Sequence, residues 1–179
     1  LWRERRSEVL SAAAEITAML QRPQSGGREE ELGEEILHRA YQSQAGAFDR
    51  RYGGFGQAPK FPSPHQFLFL LRYWRRTGEN QALAMVEQTI KNMRRGGIYD
   101  HIGFGFHRYS TDERWIVPHF EKMLYDQALM AMACIELYQA TGKQDYENTA
   151  REIFTYVLQD MTDHQGGFYS AEDADSEGL

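Results

Sequence analysis

The chain has 179 residues, enough to bury a sizeable core as one domain. Its 26 acidic and 20 basic residues give a formal net charge of −6, which argues against nucleic acid as the main partner. No apolar run approaches the roughly 20 residues that span a bilayer, so no membrane partner and a cytoplasmic location are expected.

The predicted elements are helical in chain order. A first helix covers about 2–20, with Val9, Ala13, Ile16 and Leu20 on one face. Residues 23–27 break it, and a second helix runs over about 29–47 with Leu32, Ile36, Ala40 and Tyr41. A third begins at Pro64 after Ser63 and ends near Gly78. A fourth spans 80–95, with Leu83, Val86, Ile90 and Met93 on one stripe. A fifth is expected from Pro118 to about Thr141, and a sixth over 144–161. The third and fifth read as apolar nearly all round, the fourth and sixth as amphipathic. That alternation is what an inner ring of helices wrapped by an outer ring produces. Gly53-Gly54, Gly96-Gly97 and Gly166-Gly167 each close a stretch long enough for two helices. The fold expected is all-α: antiparallel helix hairpins forming about half of an (α/α)6 toroid, with a short β-hairpin between about Ile98 and Tyr109. An ordinary helical bundle is the alternative. Residues 1–179 are read as a single domain.

The densest chemistry lies in GGIYDHIGFGFHRYSTDERWIVPHFEKMLYDQ, residues 96–127. His101, His107 and His119 sit there among carboxylates, cations and aromatic side chains, the ingredients of a small-molecule pocket. Gly96 and Gly97 are expected to stop the fourth helix in a left-handed conformation, and Gly103 and Gly105 to allow close backbone approach. With Pro118 opening the fifth helix, His119 and Glu121 would lie in its positive first turn, and Asp126 on the face of His119. The catalytic candidates are therefore His101, His107, His119, Glu121 and Asp126. The binding candidates are Tyr99, Asp100, Arg108, Trp115, Lys122 and Tyr125, with Glu172, Asp173 and Asp175 from the acidic segment after the third glycine pair. That segment is otherwise a solvated acidic loop.

Three histidines and Asp100 would suit zinc, but HxH and HExxH spacings are missing, so acid–base work is preferred to a metal and no cofactor is expected. DADSEG only partly matches a calcium loop, because Glu177 stands where Asp or Asn is usual. The lone cysteine, Cys134, excludes an internal disulfide and reads as a buried thiol. Lys60 is read as a surface charge.

GGFGQAPKFPSP, GGIYDHIGFGFHRYSTDERWIVPHFEKMLYDQA and GGFYSAEDADSEG together resemble the YyaL-like family, which includes spermatogenesis-associated thioredoxin-domain proteins. The resemblance covers about 48–179. It implies a longer parent with a thioredoxin-like domain, absent from this chain, followed by a toroid similar to N-acylglucosamine 2-epimerases and six-hairpin glycosidases. Phe104 departs from the family pattern, which has a third glycine there. The implied function is sugar-like ligand binding, with epimerase, isomerase or glycosidase chemistry. The alternative is a non-catalytic binding module serving the redox domain. The first residue is Leu1, and the chain reads as a piece of that parent. Half a ring would leave inner-helix residues such as Phe67, Phe69, Leu71, Leu129, Met130 and Met132 uncovered, so self-association through apolar faces is expected.

Overall fold

The computed structural model describes residues 2, 4–21 and 33–175. They fall into two units, 1–36 and 37–179. The first holds α1 (Arg6–Gln21), which carries the expected apolar stripe and buries none of its residues. The break at 23–27 and the start of the second helix at 29 lie outside the described residues. The second helix is described as α2 (Glu34–Ala47).

The second unit contains α3 (Pro64–Thr77), α4 (Asn80–Arg95), α5 (Leu124–Thr141) and α6 (Gln144–Asp160). Apolar residues at three- and four-residue spacing make α4 bury one face: Ala82, Met85, Val86, Ile90 and Met93 are all at most 1% exposed. Glu79 caps its start by accepting from the Gln81 N–H at 3.1 Å. α3 packs against both α4 and α5, and α5 also against α6. Tyr41 of α2 stacks on Tyr73 of α3 with ring centroids 4.6 Å apart. α4 and α6 are tied by Arg94–Glu152 and Lys143–Glu87 ion pairs. This is a two-layer array of helix hairpins, as in an (α/α)6 toroid.

Some sequence expectations are corrected here. α3 is not apolar all round: Phe67, Leu68, Leu70 and Leu71 are buried while His65, Arg72, Arg75 and Arg76 are exposed. Ser63 has φ 51 and its side chain makes no cap hydrogen bond, so Pro64 alone marks that start. Phe67, Leu71 and Met130 are covered within the unit, and Met132, 46% exposed, is the clear exception among the six expected to be bare. Lys60 is fully buried. Its ammonium donates to Asp49 at 2.6 Å and to the Glu113 carbonyl at 3.1 Å, so the charge is satisfied inside. Cys134 is fully buried, and burial pushes its thiol up to about 12. The native chain should therefore resist iodoacetamide at pH 8 and become modified at one site in denaturant, as mass spectrometry would show.

The strands are short. β1 (Tyr109–Ser110) pairs antiparallel with β2 (Pro118–His119), and β3 (Lys122–Met123) with β4 (Ala171–Glu172). α5 thus begins at Leu124, six residues later than Pro118 suggests. Residues 118–123 are extended because their backbone groups are taken by strand partners: Thr111 N–H donates to the Val117 carbonyl and Arg108 N–H to that of Glu121, both at 2.8 Å. The expected hairpin within 98–109 is reduced to a bridge between Tyr99 and Phe106. Left-handed backbone at Phe104 (φ 69) and Gly105 (φ 77) breaks the alternation there.

The Gly96-Gly97 pair serves close approach rather than a left-handed stop, since Gly96 has φ −86. A Cβ on Gly96 would lie 2.2 Å from the Trp115 carbonyl oxygen, and one on Gly97 2.2 Å from that of Ile116. Gly96→Ala should therefore cost about 2 kcal/mol in urea unfolding, as overpacking against backbone does.

Candidate functional site

Successive residues of an extended strand point to opposite sides. At 107–108 and at 121–122 neighbouring side chains enter two different clusters.

The inner cluster is built on His107 and Lys122, 7% and 4% exposed. The Lys122 ammonium donates to Asp100 Oδ2 at 2.8 Å and to the Phe104 carbonyl at 3.1 Å. It lies 4.2 Å from the centroid of the Tyr156 ring and 4.0 Å from Glu172 Oε2, which accepts from the Tyr156 hydroxyl at 2.6 Å. Asp100 also accepts from the Ile102 and Gly103 N–H groups at 2.9 Å. Burial alone would raise the Asp100 carboxyl, but Lys122 and those N–H groups outweigh it and bring it down to about 2. The His107 imidazole is pushed below its usual range by burial first and by Lys122 second, and its Nδ1 has no hydrogen-bond partner. Gln127, fully buried, holds this segment by accepting from the Phe106 N–H at 2.9 Å and donating to the Phe106 carbonyl at 2.6 Å. Gly105 permits this: a Cβ there would sit 2.8 Å from the Tyr156 ring and 3.0 Å from Gln127 Oε1.

The outer cluster centres on Arg108 and Glu121. The guanidinium Nη1 donates to Glu121 Oε2 at 2.6 Å, and His119 Nε2 lies 3.9 Å from the same oxygen. The His119 ring stacks on Tyr109 at 4.8 Å, and Phe61 packs against the other aromatic, Tyr109, at 5.0 Å. Arg108 Nε is buried without a partner. Arg108 also interacts with Tyr125. Asp126 opens α5, is 8% exposed, and has its carboxyl raised to about 6. Burial is the main cause; the Glu121 charge adds to it and Arg108 opposes it. A carboxyl titrating near neutrality within the field of Arg108 and Glu121 can exchange a proton at ordinary pH.

Other expected residues lie elsewhere. His119 and Glu121 precede α5 in strand and link rather than in its first turn, so His119 shares no helix face with Asp126. His101 is exposed, with its ring at Gly96 and Tyr99. Tyr99 is buried and donates to Glu152 at 2.5 Å beneath the Arg94 guanidinium, facing α4 and α6. Trp115 is fully buried, donating to the Tyr52 carbonyl at 2.9 Å, which makes it a packing anchor. Glu172 reaches the inner cluster through β4. Asp173 and Asp175 are exposed and bond to one another. Three clefts, on α3 with α2, on α3 with α5 and between α4 and α6, are lined by none of Asp100, His101, His107, His119 and Glu121. Among the described residues no group of three or more His, Cys, Asp or Glu is placed to hold a metal, and no helix is long and apolar enough to cross a membrane. Sequence reasoning missed Gln127, Tyr109 and Tyr156. Gln127 ends the dense motif and was within reach; Tyr156 lies on α6 with no local signal.

The fold has solved counterparts. The cellobiose 2-epimerase of Spirochaeta thermophila superposes with a TM-score of 0.67 at 18% identity, covering 79% of this chain and 40% of the enzyme. A D-mannose isomerase gives 0.64 at 22% identity, over 79% and 42%. A glycoside hydrolase family 76 mannosidase from Bacteroides thetaiotaomicron gives 0.62 at 19%, over 79% and 40%. The architecture is therefore part of an (α/α)6 toroid. No family model matches the chain. Human spermatogenesis-associated protein 20 is 43% identical over 183 residues, covering 98% of this chain, and the mouse protein is 48% identical over 142 residues, covering 77%. The chain belongs to the family of spermatogenesis-associated protein 20. It spans 23% of the length of the human relative and 18% of the mouse one.

Proposed function

We propose that this segment forms part of a toroid site that binds a sugar-like small molecule and moves protons beside its carbonyl. The observation that carries the reading is the Arg108–Glu121 pair with His119 beside it, whose two charges also act on the buried Asp126 carboxyl, near 6. The sugar epimerase and isomerase folds of the structural neighbours support it by analogy alone.

In the proposed reaction the Asp126 carboxylate takes the proton from the carbon beside the carbonyl. The electron pair of that C–H bond moves to the carbonyl oxygen, where the Arg108 guanidinium offsets the growing negative charge. Delivery of a proton from a protonated His119 to the opposite face of that carbon gives the epimer. Delivery of the Asp126 proton to the former carbonyl carbon, with a proton passing between the two oxygens, gives the isomer. The two side chains then re-equilibrate their protons with water. Glu121 keeps Arg108 oriented. His107 and Lys122 hold the strand from the inner side. The reading includes a cytoplasmic location in carbohydrate metabolism. It also includes self-association over exposed apolar residues such as Phe154 and Leu158, which sedimentation at micromolar concentration tests.

Incubation with mannose or cellobiose in heavy water tests the chemistry. Deuterium should enter at the carbon beside the carbonyl, and Asp126→Asn should abolish that exchange. Binding without exchange, in the chain and in its full-length parent, would favour a non-catalytic module accompanying a thioredoxin-like domain. The internal neutralisation of Arg108 by Glu121 and of Lys122 by Asp100 is the feature that such a module would share.

A further inference from the structure

α4 and α6 enclose a polar cleft of about 750 Å³ that shares no residue with either cluster around the strands. Its charges sort into used and unused. Glu87 is occupied by Lys143 and by the Tyr146 hydroxyl, which donates to it at 2.9 Å. Glu152 is occupied by Arg94 and the Tyr99 hydroxyl. What remains is Arg51, Lys91 and Arg95, all exposed and none paired with a carboxylate among the described residues; the Arg51 guanidinium lies over the Tyr52 ring at 4.9 Å. Asp145 is the one carboxylate of the lining that neither ion pair uses. Arg94 has spare capacity as well, since its Nη1 makes no hydrogen bond. A local excess of free cations on a chain of net charge −6 is a departure from its surroundings. It has a direct chemical complement: an oxyanion whose oxygens accept from guanidinium and ammonium donors.

We propose that the α4–α6 cleft binds a phosphorylated small molecule, its phosphate oxygens held by Lys91 and Arg95 with Arg51 at the rim. The cleft is wide enough for more than a lone anion, being within the 300–1,000 Å³ range of small-molecule sites. Its amide and hydroxyl lining, Asn92, Asn148 and Thr149, suits a polyol or ribose attached to the phosphate.

Calorimetric titration of the chain with pyrophosphate and with a hexose 6-phosphate at low salt tests this, alongside sulfate and free mannose as comparison ligands. Saturable one-site binding of the phosphorylated probes is expected, and Lys91→Gln with Arg95→Gln should weaken it at least tenfold, about 1.4 kcal/mol. Arg75→Gln on α3 should leave it unchanged. Amide shifts in the unsubstituted chain should be confined to α4, α6 and the neighbourhood of Arg51. A stronger response to the hexose phosphate than to pyrophosphate assigns the ligand as an ester; the reverse assigns a free polyphosphate. Absence of saturation, sulfate binding as tightly as the phosphorylated probes, or equal weakening by Arg75→Gln would each overturn the proposal, the last two by showing an adventitious ion only. None of these outcomes touches the deuterium-exchange test, because the two sites share no residue.

Discussion

Asp126→Asn is expected to stabilise the chain at pH 7 by up to about 3 kcal/mol while abolishing proton exchange. The carboxyl titrates near 6 in the folded chain against an ordinary value of 3.8. Because the folded value is the higher, the folded chain holds the proton more tightly than the unfolded one. That contribution is fully present below about 3.8 and is lost as pH rises through about 6. Above that, keeping the buried carboxylate ionised costs about 1.4 kcal/mol for each pH unit between the two values. Asparagine has nearly the same shape and no charge to desolvate. Urea unfolding of both forms from pH 3 to pH 8 checks this: the difference should be near zero at the acid end and grow to its full size by pH 7. A constant difference across that range would mean that the carboxylate is not strained by its burial, and would remove the argument for it as a base.

Trp115→Ala should be the most damaging single change, costing about 3–5 kcal/mol. That is a large share of the roughly 5–15 kcal/mol that holds a typical chain folded. The indole is fully buried, its ring lies 5.1 Å from the Lys60 ammonium, and a Cβ on Gly54 would come within 2.5 Å of it. Its Nε1 satisfies the Tyr52 carbonyl, and its own carbonyl accepts from the Ile98 N–H at 3.1 Å. One residue thus joins the first glycine return, through its indole, to the second, through its backbone carbonyl. Trp115→Phe keeps most of the volume and loses the hydrogen bond, so about 1–2 kcal/mol is expected. Chemical denaturation followed by circular dichroism measures both. A loss below about 1 kcal/mol for the alanine variant would show that the returns are held by other contacts.

The helices were legible because their signals are local. The stripe through Val86, Ile90 and Met93 and the glycine after Arg95 place α4 from adjacent residues, and it folds over Asn80–Arg95 as read. The start of α5 was misread for the opposite reason. Pro118 is a good first-turn residue, but the backbone of 118–123 is claimed by residues 108–111 and 171–172, and pairing at a distance leaves no trace in local propensity. The same limit applies to the site. Its titratable groups could be picked from 96–127, yet the split that sends Lys122 inward and Glu121 outward depends on strand geometry. Lys60 shows the limit for charge: its burial rests on Asp49 and on a carbonyl 53 residues later in the chain, and nothing next to it in the sequence signals either. Phe104 is the reverse case. The resemblance leads one to expect glycine there, and the backbone is left-handed, so a bulky side chain occupies a conformation suited to glycine.

The pairing of Lys122 with Glu172 across β3 and β4 makes the site dependent on chain continuity. The strand carrying Lys122 is finished by a segment that arrives only after α5 and α6 have been traversed. A nascent chain that has emerged as far as Asp160 would already hold most of the acid–base groups, yet Tyr156 would lack its carboxylate acceptor and β3 its partner strand. The motif 96–127 is therefore not a portable peptide. Grafted onto another scaffold, or released by proteolysis before Ala171, it would carry the side chains of the inner cluster without the strand and the carboxylate that complete it.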